Sequence, residues 1–343
     1  MEHRAERWQL LADGKSLCRL RITNLLLDSR ELVDEKNMLS QATIEETVVN
    51  LWKKNQYDLP DDFKSFLKEK YESETSELGK AHLKANIDMV EKSSKMGIPF
   101  CADTGLLAYY VVMGTKMVNA IDGGFGSFEE TLGRATARVT AEIPLRPNAV
   151  HPLTRHNPNN NLGPYSPDVK IKLLQDGDFI EITNVAFGGG PELVGSKFTV
   201  LPPTAGEKGV RKYVLECAIH LIRMGSTCSP NVVGVGLGGN FETCERLAKE
   251  AAILRPIGDK NPDAEIARLE SILMNDILRL KLGPMGMGGS TSAFDVHVEL
   301  AYCHMATLPV AVYLQCSAMR RTTVRLYADG KVEGLARSSW LRC

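Results

Sequence analysis

Ile98-Pro99-Phe100-Cys101-Ala102-Asp103-Thr104-Gly105 is the stretch on which the reading of the fold turns. Before it, apolar residues recur at helical spacing. Ile44, Val48, Leu51 and Trp52 form one stripe, Phe63, Phe66 and Leu67 open a second, and Leu83, Ile87 and Val90 mark a third. Gly97 and Pro99 stop that run. After it the period changes, and 106–113 is a β-type run closed by Gly114. The expected fold is mixed α/β, a helical N-terminal part followed by a β-sheet region with flanking helices.

Working outward, Ser40 can cap the first helix. Residues 1–37 carry mixed charge without a period and read as an N-terminal extension of a single domain over 38–343. Downstream, a helix is expected over 128–142, then a Pro- and Asn-rich ordered loop over 145–168 of the kind that often carries function. Residues 168–185 read as a hairpin turning at Asp176-Gly177. A Gly188-Gly189-Gly190 turn, helices near 206–224, 241–253 and 263–281, strands over 232–237, 294–300 and 310–314, and a hairpin over 324–332 complete the chain.

Lys plus Arg total 41 and Asp plus Glu 42, so no strongly basic face is implied, which argues against nucleic acid or anionic membrane as the main partner. Eight cysteines with no Cys-x-x-Cys pair argue against a disulfide scaffold, a zinc ribbon and a thioredoxin-like motif. No apolar run reaches membrane-spanning length, and Met-Glu-His-Arg-Ala-Glu-Arg does not lead into a signal-peptide core. A cytoplasmic, reducing setting is expected.

Cys101, Cys228 and Cys316 each sit in a turn-like context far apart in sequence. Plain turn thiols are the commoner reading. The sharper one is three thiolates converging on an inorganic centre, an iron–sulfur cluster with one iron left open. Cys217 and Cys244 fall in helix patterns and read as buried thiols, as Cys18 and Cys343 read as free ones near the termini. Gly234, Gly236 and Gly239 match a Gly-x-Gly-x-x-Gly dinucleotide loop, but no acid ends a second strand about 20 residues on, so a close strand-to-helix turn is preferred. Gly188 to Gly190 could form a simple turn or offer amides to a carboxylate. Arg146, Arg155, Arg320 and Arg321 are candidate carboxylate clamps, or solvated surface residues. His304, beside Cys303 and before the strand that runs into Cys316, is a candidate acid–base group, whereas His297 reads as structural. His151 and His156 stay open, as does Asp103, a turn cap or a pocket carboxylate.

These segments together resemble the α-type catalytic domain of the iron–sulfur hydro-lyases, the class I fumarate hydratases and L(+)-tartrate dehydratases. The resemblance runs over about residues 39–335, through 98–105, His151-Pro-Leu-Thr-Arg, Val233-Gly-Val-Gly-Leu-Gly-Gly, Leu254-Arg-Pro-Ile-Gly, Leu282-Gly-Pro-Met-Gly-Met-Gly-Gly and the run from Cys303 to Gln315-Cys316. It implies a [4Fe-4S] cluster with one open iron held by Cys101, Cys228 and Cys316. His304 and Asp103 would be catalytic, with Arg146, Gly189 and Gly190 on a small dicarboxylic acid substrate. Ala102 stands where the family has glutamine, Cys228 lies in Thr-Cys-Ser-Pro where the family has Cys-Pro-Pro, and the third site reads Cys-Ser-Ala-Met-Arg-Arg.

The resemblance further implies reversible dehydration of a 2-hydroxy diacid. The leading expectation is a class I fumarate hydratase α-subunit interconverting malate and fumarate, and the alternative is an L(+)-tartrate dehydratase α-subunit. No compelling base for the proton on the neighbouring carbon is visible, so a β-type subunit is expected to supply it. Two other classes stay open: a non-catalytic cluster-binding protein and a zinc-binding α/β protein.

Overall fold

The computed structural model describes residues 38–225 and 227–342. In chain order these form α1 (Gln41–Tyr57), α2 (Asp61–Ser73), α3 (Glu77–Met96), β1 (Leu106–Gly114), α4 (Gly126–Glu142), β2 (Asp168–Leu174), β3 (Phe179–Phe187) and the short α5 (Gly189–Val194). There follow β4 (Ser196–Leu201), α6 (Gly206–Met224), β5 (Val232–Gly238), α7 (Phe241–Leu254), α8 (Ala264–Arg279), β6 (Asp295–Ala301), β7 (Leu308–Gln315), β8 (Arg321–Tyr327) and β9 (Val332–Leu335). The mixed α/β reading holds, with three helices ahead of the first strand. The expected N-terminal extension over residues 1–37 lies outside the described residues.

Two sheets form, ordered β2-β1-β3-β8-β9 and β4-β7-β5-β6. Alternation along β1 shows how the layers stack. Tyr109, Val111 and Met113 face a core built with α1 and α4, while Ala108, Tyr110 and Val112 face one built with α2, α3 and α7. On the second sheet Val233 and Val235 face α6 and α8, and Val232 faces the central core. Helix α7 thus lies between the sheets. Ser40 caps α1 by accepting from the Thr43 amide, and Trp52 on its buried stripe donates to the Tyr109 hydroxyl at 2.8 Å. The two rings meet edge-on at 5.6 Å, a geometry contributing about 1 kcal/mol beyond the area buried.

Two sequence readings meet different outcomes here. The hairpin expected over 168–185 does not form, because β1 lies between β2 and β3, pairing parallel with one and antiparallel with the other. The Asp176-Gly177 turn exists, with Asp176 at φ 58°, but it arches over the end of β1. Gly114 and Gly177 meet there so closely that a Cβ on Gly114 would lie 2.2 Å from the Gly177 carbonyl. The close-turn reading of the 234–239 glycines agrees with the packing. A Cβ on Gly234 would lie 2.0 Å from the Ala248 oxygen, and one on Gly236 would lie 2.0 Å from the Cys244 oxygen. Both glycines let α7 seat directly on β5.

The strand registers bring one end of each sheet together. Leu106 opens β1 opposite Phe187 at the end of β3, and Arg321 opens β8 opposite Val185. In the second sheet Val232 opens β5 opposite Gln315 at the end of β7. Residues 316–320 are the whole connection from β7 to β8, and so from one sheet to the other. Gly236→Ala is expected to destabilise the fold by about 3 kcal/mol, the upper part of the overpacking range, because its Cβ meets backbone. Urea denaturation of the variant against the parent chain measures this, and an unchanged midpoint would show that α7 can lift off β5 at little cost.

Candidate active site

Three loops converge at that junction. Cys101 follows α3 and is partly buried, Cys228 lies exposed between α6 and β5, and Cys316 leaves β7 buried. None is disulfide-bonded among the described residues. Their thiols sense one another. Partial burial pushes Cys228 up from the ordinary thiol range, and the neighbouring Cys101 and Asp103 add to the effect. Burial pushes Cys316 up to about 11, against the opposing Arg320 charge, with Cys228 and Cys101 again raising it. Among the described residues no three His, Cys, Asp or Glu side chains close into a donor set for a single metal ion.

Backbone hydrogen bonds fix these loops relative to one another. The Ser317 amide donates to the Cys228 carbonyl at 2.9 Å, tying the second loop to the third. Asn231 knots the same pair: its Nδ2 donates to the carbonyls of Cys228 and Gln315, each at 3.2 Å. The first loop is held by the Phe100 amide on the Gln56 carbonyl and by Arg320, whose Nη1 donates to the Asp103 carbonyl at 2.6 Å.

Asp103 caps its own turn and also reaches beyond it. Its Oδ1 accepts from the Gly105 amide at 3.1 Å and from Asn148 Nδ2 at 2.9 Å, and its Oδ2 accepts from the Gly189 amide at 2.5 Å. The glycine turn therefore already offers one amide to a carboxylate, an internal one. Its Gly188 is buried, and a Cβ there would lie 3.3 Å from Asp103 Oδ2, 3.5 Å from Arg320 Nη2 and 3.8 Å from Cys316 Sγ. Bare backbone is what lets these three groups share one space. Gly190 is half-buried in the first turn of α5.

Arg146 is exposed, and only its backbone is fixed, by the Thr104 hydroxyl that accepts from its amide and donates to its carbonyl. Its guanidinium makes no hydrogen bond or ion pair among the described residues. Arg155, His151 and His156 are exposed in the long loop, where His151 Nδ1 accepts from the Leu153 and Thr154 amides. Arg321 is structural, donating to the Ile253 carbonyl and pairing with Asp62. His297 is fully buried between the Ala251 carbonyl and Asp295, in agreement with its structural reading.

His304 lies apart from the three cysteines. It is exposed in the turn that enters β7 at Leu308, with its Nδ1 accepting from the Ala306 amide, whereas Cys316 leaves the other end of that strand. Eight strand residues separate the two ends, about 26 Å at the usual rise. Within this chain His304 does not join Asp103 and the cysteines. Closeness in sequence to a strand that ends in a ligand loop does not bring it near that loop.

Several contributors were not singled out by sequence motifs: Asn231, Asn148, Gln56 and Glu74. Glu74 acts through the glycine-rich segment after α8. Its carboxylate accepts from the Thr75, Ser76, Ser290 and Thr291 amides at 2.7–2.9 Å. That segment in turn presents Met285, whose amide donates to the Ser229 hydroxyl at 3.0 Å, beside Cys228. A buried carboxylate collecting distant amides leaves no local signature. The signal available was the run of glycines itself.

Residues 45–325 match the family model described as fumarate hydratase (Fumerase). The chain is 39% identical over 291 residues, 84% of its length and 99% of the relative's, to the "Putative L(+)-tartrate dehydratase subunit alpha" of Methanocaldococcus jannaschii. It is 36% identical over 278 residues, 81% of its length and 89% of the relative's, to the L(+)-tartrate dehydratase subunit alpha of Escherichia coli strain K12. The same figures relate it to the protein of that name from Escherichia coli strain UTI89. A mixed α/β hydro-lyase fold with its cysteines at the sheet junction is the class these observations define. The chain belongs to the fumarate hydratase family of hydro-lyases.

Burial alone would push the Glu74 carboxyl up, but the Ser76, Ser290 and Thr291 hydrogen bonds outweigh it and bring it down to about 2. Being lowered, it contributes stability above the unfolded value near 4.5 that is lost as pH falls towards 2. Glu74→Gln is expected to lower stability by about 3 kcal/mol at neutral pH and to flatten that acid limb. Denaturant titrations at pH 7 and pH 3 measure both, and equal losses at the two values would contradict the assignment.

Proposed function

We propose that this chain is the α-subunit of an iron–sulfur hydro-lyase that reversibly dehydrates a 2-hydroxy dicarboxylate, with L(+)-tartrate its substrate in preference to malate. The observation that carries the reading is the convergence of Cys101, Cys228 and Cys316 from three loops onto one end of the two sheets. The residues suit a [4Fe-4S] cluster. Three free thiols sense one another, bare Gly188 keeps space beside Cys316, and a buried guanidinium supplies positive charge. A cube of iron and sulfide takes its thiolates at separate corners, a wider set than the single-ion tetrahedron of zinc.

In the reaction, a proton leaves one carbon and hydroxide leaves its neighbour as the double bond forms. The cluster, when bound, supplies an open iron as Lewis acid for the departing hydroxyl. The chain's own residues position the substrate. Asp103 spends three acceptor sites on Gly105, Asn148 and Gly189, which leaves one for a substrate hydroxyl. Arg146 offers an unpaired, exposed guanidinium for one carboxylate, and the Gly190 turn offers backbone that approaches closely. His304 is left out of this chain's own pocket. A base on the β-type partner completes the reaction, which suits relatives that are themselves named alpha subunits.

The names of those relatives favour tartrate over the malate–fumarate pair, while the family description favours the latter. Fumarate hydratase is therefore the second reading. Among the described residues no helix is long and apolar enough to cross a membrane, and we take the cytoplasm as the site of action.

The test is anaerobic co-expression with a β-type chain, followed by turnover of L(+)-tartrate and of malate. A higher kcat/KM for malate would move the assignment to the second reading, and a colourless pair devoid of labile sulfide would remove the cluster. Cys228→Ser is expected to lose cluster iron and sulfide and at least about 100-fold in activity. Full cluster occupancy in that variant, by iron and sulfide assay, would show that the ligand set is wrong.

A further inference from the structure

Arg320 is the group in this site whose chemistry is unfinished. It is 1% exposed, among the largest fully buried side chains of the protein. Its Nη1 donates to the Asp103 carbonyl at 2.6 Å and to the Gln56 Oε1 at 3.4 Å. Its Nε and Nη2 are buried with no hydrogen-bond partner among the described residues. A guanidinium carries five N–H donors and cannot shed its charge, so burying it half-satisfied costs several kcal/mol until an acceptor of negative charge arrives. Adjacent Arg321 is the control within the same fold: it is also buried, but its two Nη groups meet the Ile253 carbonyl and Asp62.

Gly188 lies beside these free donors. The point where its Cβ would stand is 3.5 Å from Arg320 Nη2 and 3.8 Å from Cys316 Sγ. The unused Nη2 thus opens onto the space that borders the Cys316 sulfur. The Asp103 carboxylate borders the same space, but it makes no hydrogen bond to Nη2, and a ligand without acceptors would leave that donor unsatisfied. A cluster ligated by thiolates is anionic and has sulfur atoms that accept N–H hydrogen bonds, and both properties tune its reduction potential.

Resting on the cluster reading above, we propose that Arg320 is a positioning residue for the iron–sulfur centre, donating from Nη2 to sulfur at the Cys316 corner while Nη1 holds the Asp103 backbone. It couples the cluster to the substrate-facing carboxylate through one rigid plane. Lysine could keep the charge but not both ends of that bridge.

The experiment compares the anaerobically loaded αβ enzyme with Arg320→Met, Arg320→Lys and Gln56→Leu. Iron and sulfide content, the midpoint potential by EPR-monitored redox titration, and iron loss to a chelator are read on each. Arg320→Met is expected to shift the potential to more negative values and to speed iron loss several-fold. Arg320→Lys is expected to keep most of the potential but to lose iron faster, and Gln56→Leu, which removes the neutral partner together with the Gln56 bonds to Asn55 and Thr104 but no charge, to leave the potential unchanged. Should Arg320→Met not load, a loaded Arg320→Lys with parental potential and parental iron loss overturns the proposal. Parental potential in a fully loaded Arg320→Met does the same. If the unsubstituted enzyme holds no cluster, the functional reading fails instead, which keeps the two failures distinct.

Discussion

The short crossover of residues 316–320 between β7 and β8 is the constraint on which the site depends. Its ends are locked by two different sheets, Gln315 opposite Val232 and Arg321 opposite Val185. An extended chain reaches at most about 3.6 Å per residue, so this connection has little slack. The other two loops are then pinned to it, one by the Ser317 amide on the Cys228 carbonyl and one by Arg320 on the Asp103 carbonyl. A one-residue slip in either sheet would reverse the faces of its strand and carry Cys316 away. The relative placement of the three sulfurs is therefore a property of strand register.

The helical part was legible because its signal is local. Residues 44, 48, 51 and 52 lie on one helical stripe in any tertiary setting, and all four are buried. The insertion of β1 between β2 and β3 was hidden, since a turn at Asp176 announces a bend without saying which strands pair. A clue was present. Residues 107–114 are buried on both faces, and an apolar run without alternation suits a central strand. The more weakly buried β2 is the edge.

At the site, cysteines, glycines and Asp103 stood out because their residue types are unusual in turns beside strands. Asn231, Gln56 and Glu74 did not, because each acts on backbone atoms of segments remote in sequence. Such residues resemble ordinary polar ones until the fold gives them partners. His304 shows the limit of sequence proximity: its neighbours are close along the chain, but a strand has two ends and they are far apart.

The distribution of buried polarity gives this site its distinct character. Elsewhere the fold compensates its buried charges: Arg255 meets Glu270, His297 meets Asp295, and Arg321 meets Asp62. Around the crossover, hydrogen-bonding groups are left open: among the described residues, Arg320 Nε and Nη2, Gln315 Oε1 and both amide atoms of Asn184 are buried without partners. Asn184 lies beneath Asn55, which donates to its carbonyl, and Asn55 accepts from Gln56, the neutral partner of Arg320. Each such group costs about 1–3 kcal/mol, more when charged. A chain under selection for stability alone would replace them with well-packed apolar residues. Their concentration along one path from β3 to Cys316 marks where the protein forgoes stability to keep polar and charged groups poised next to its chemistry.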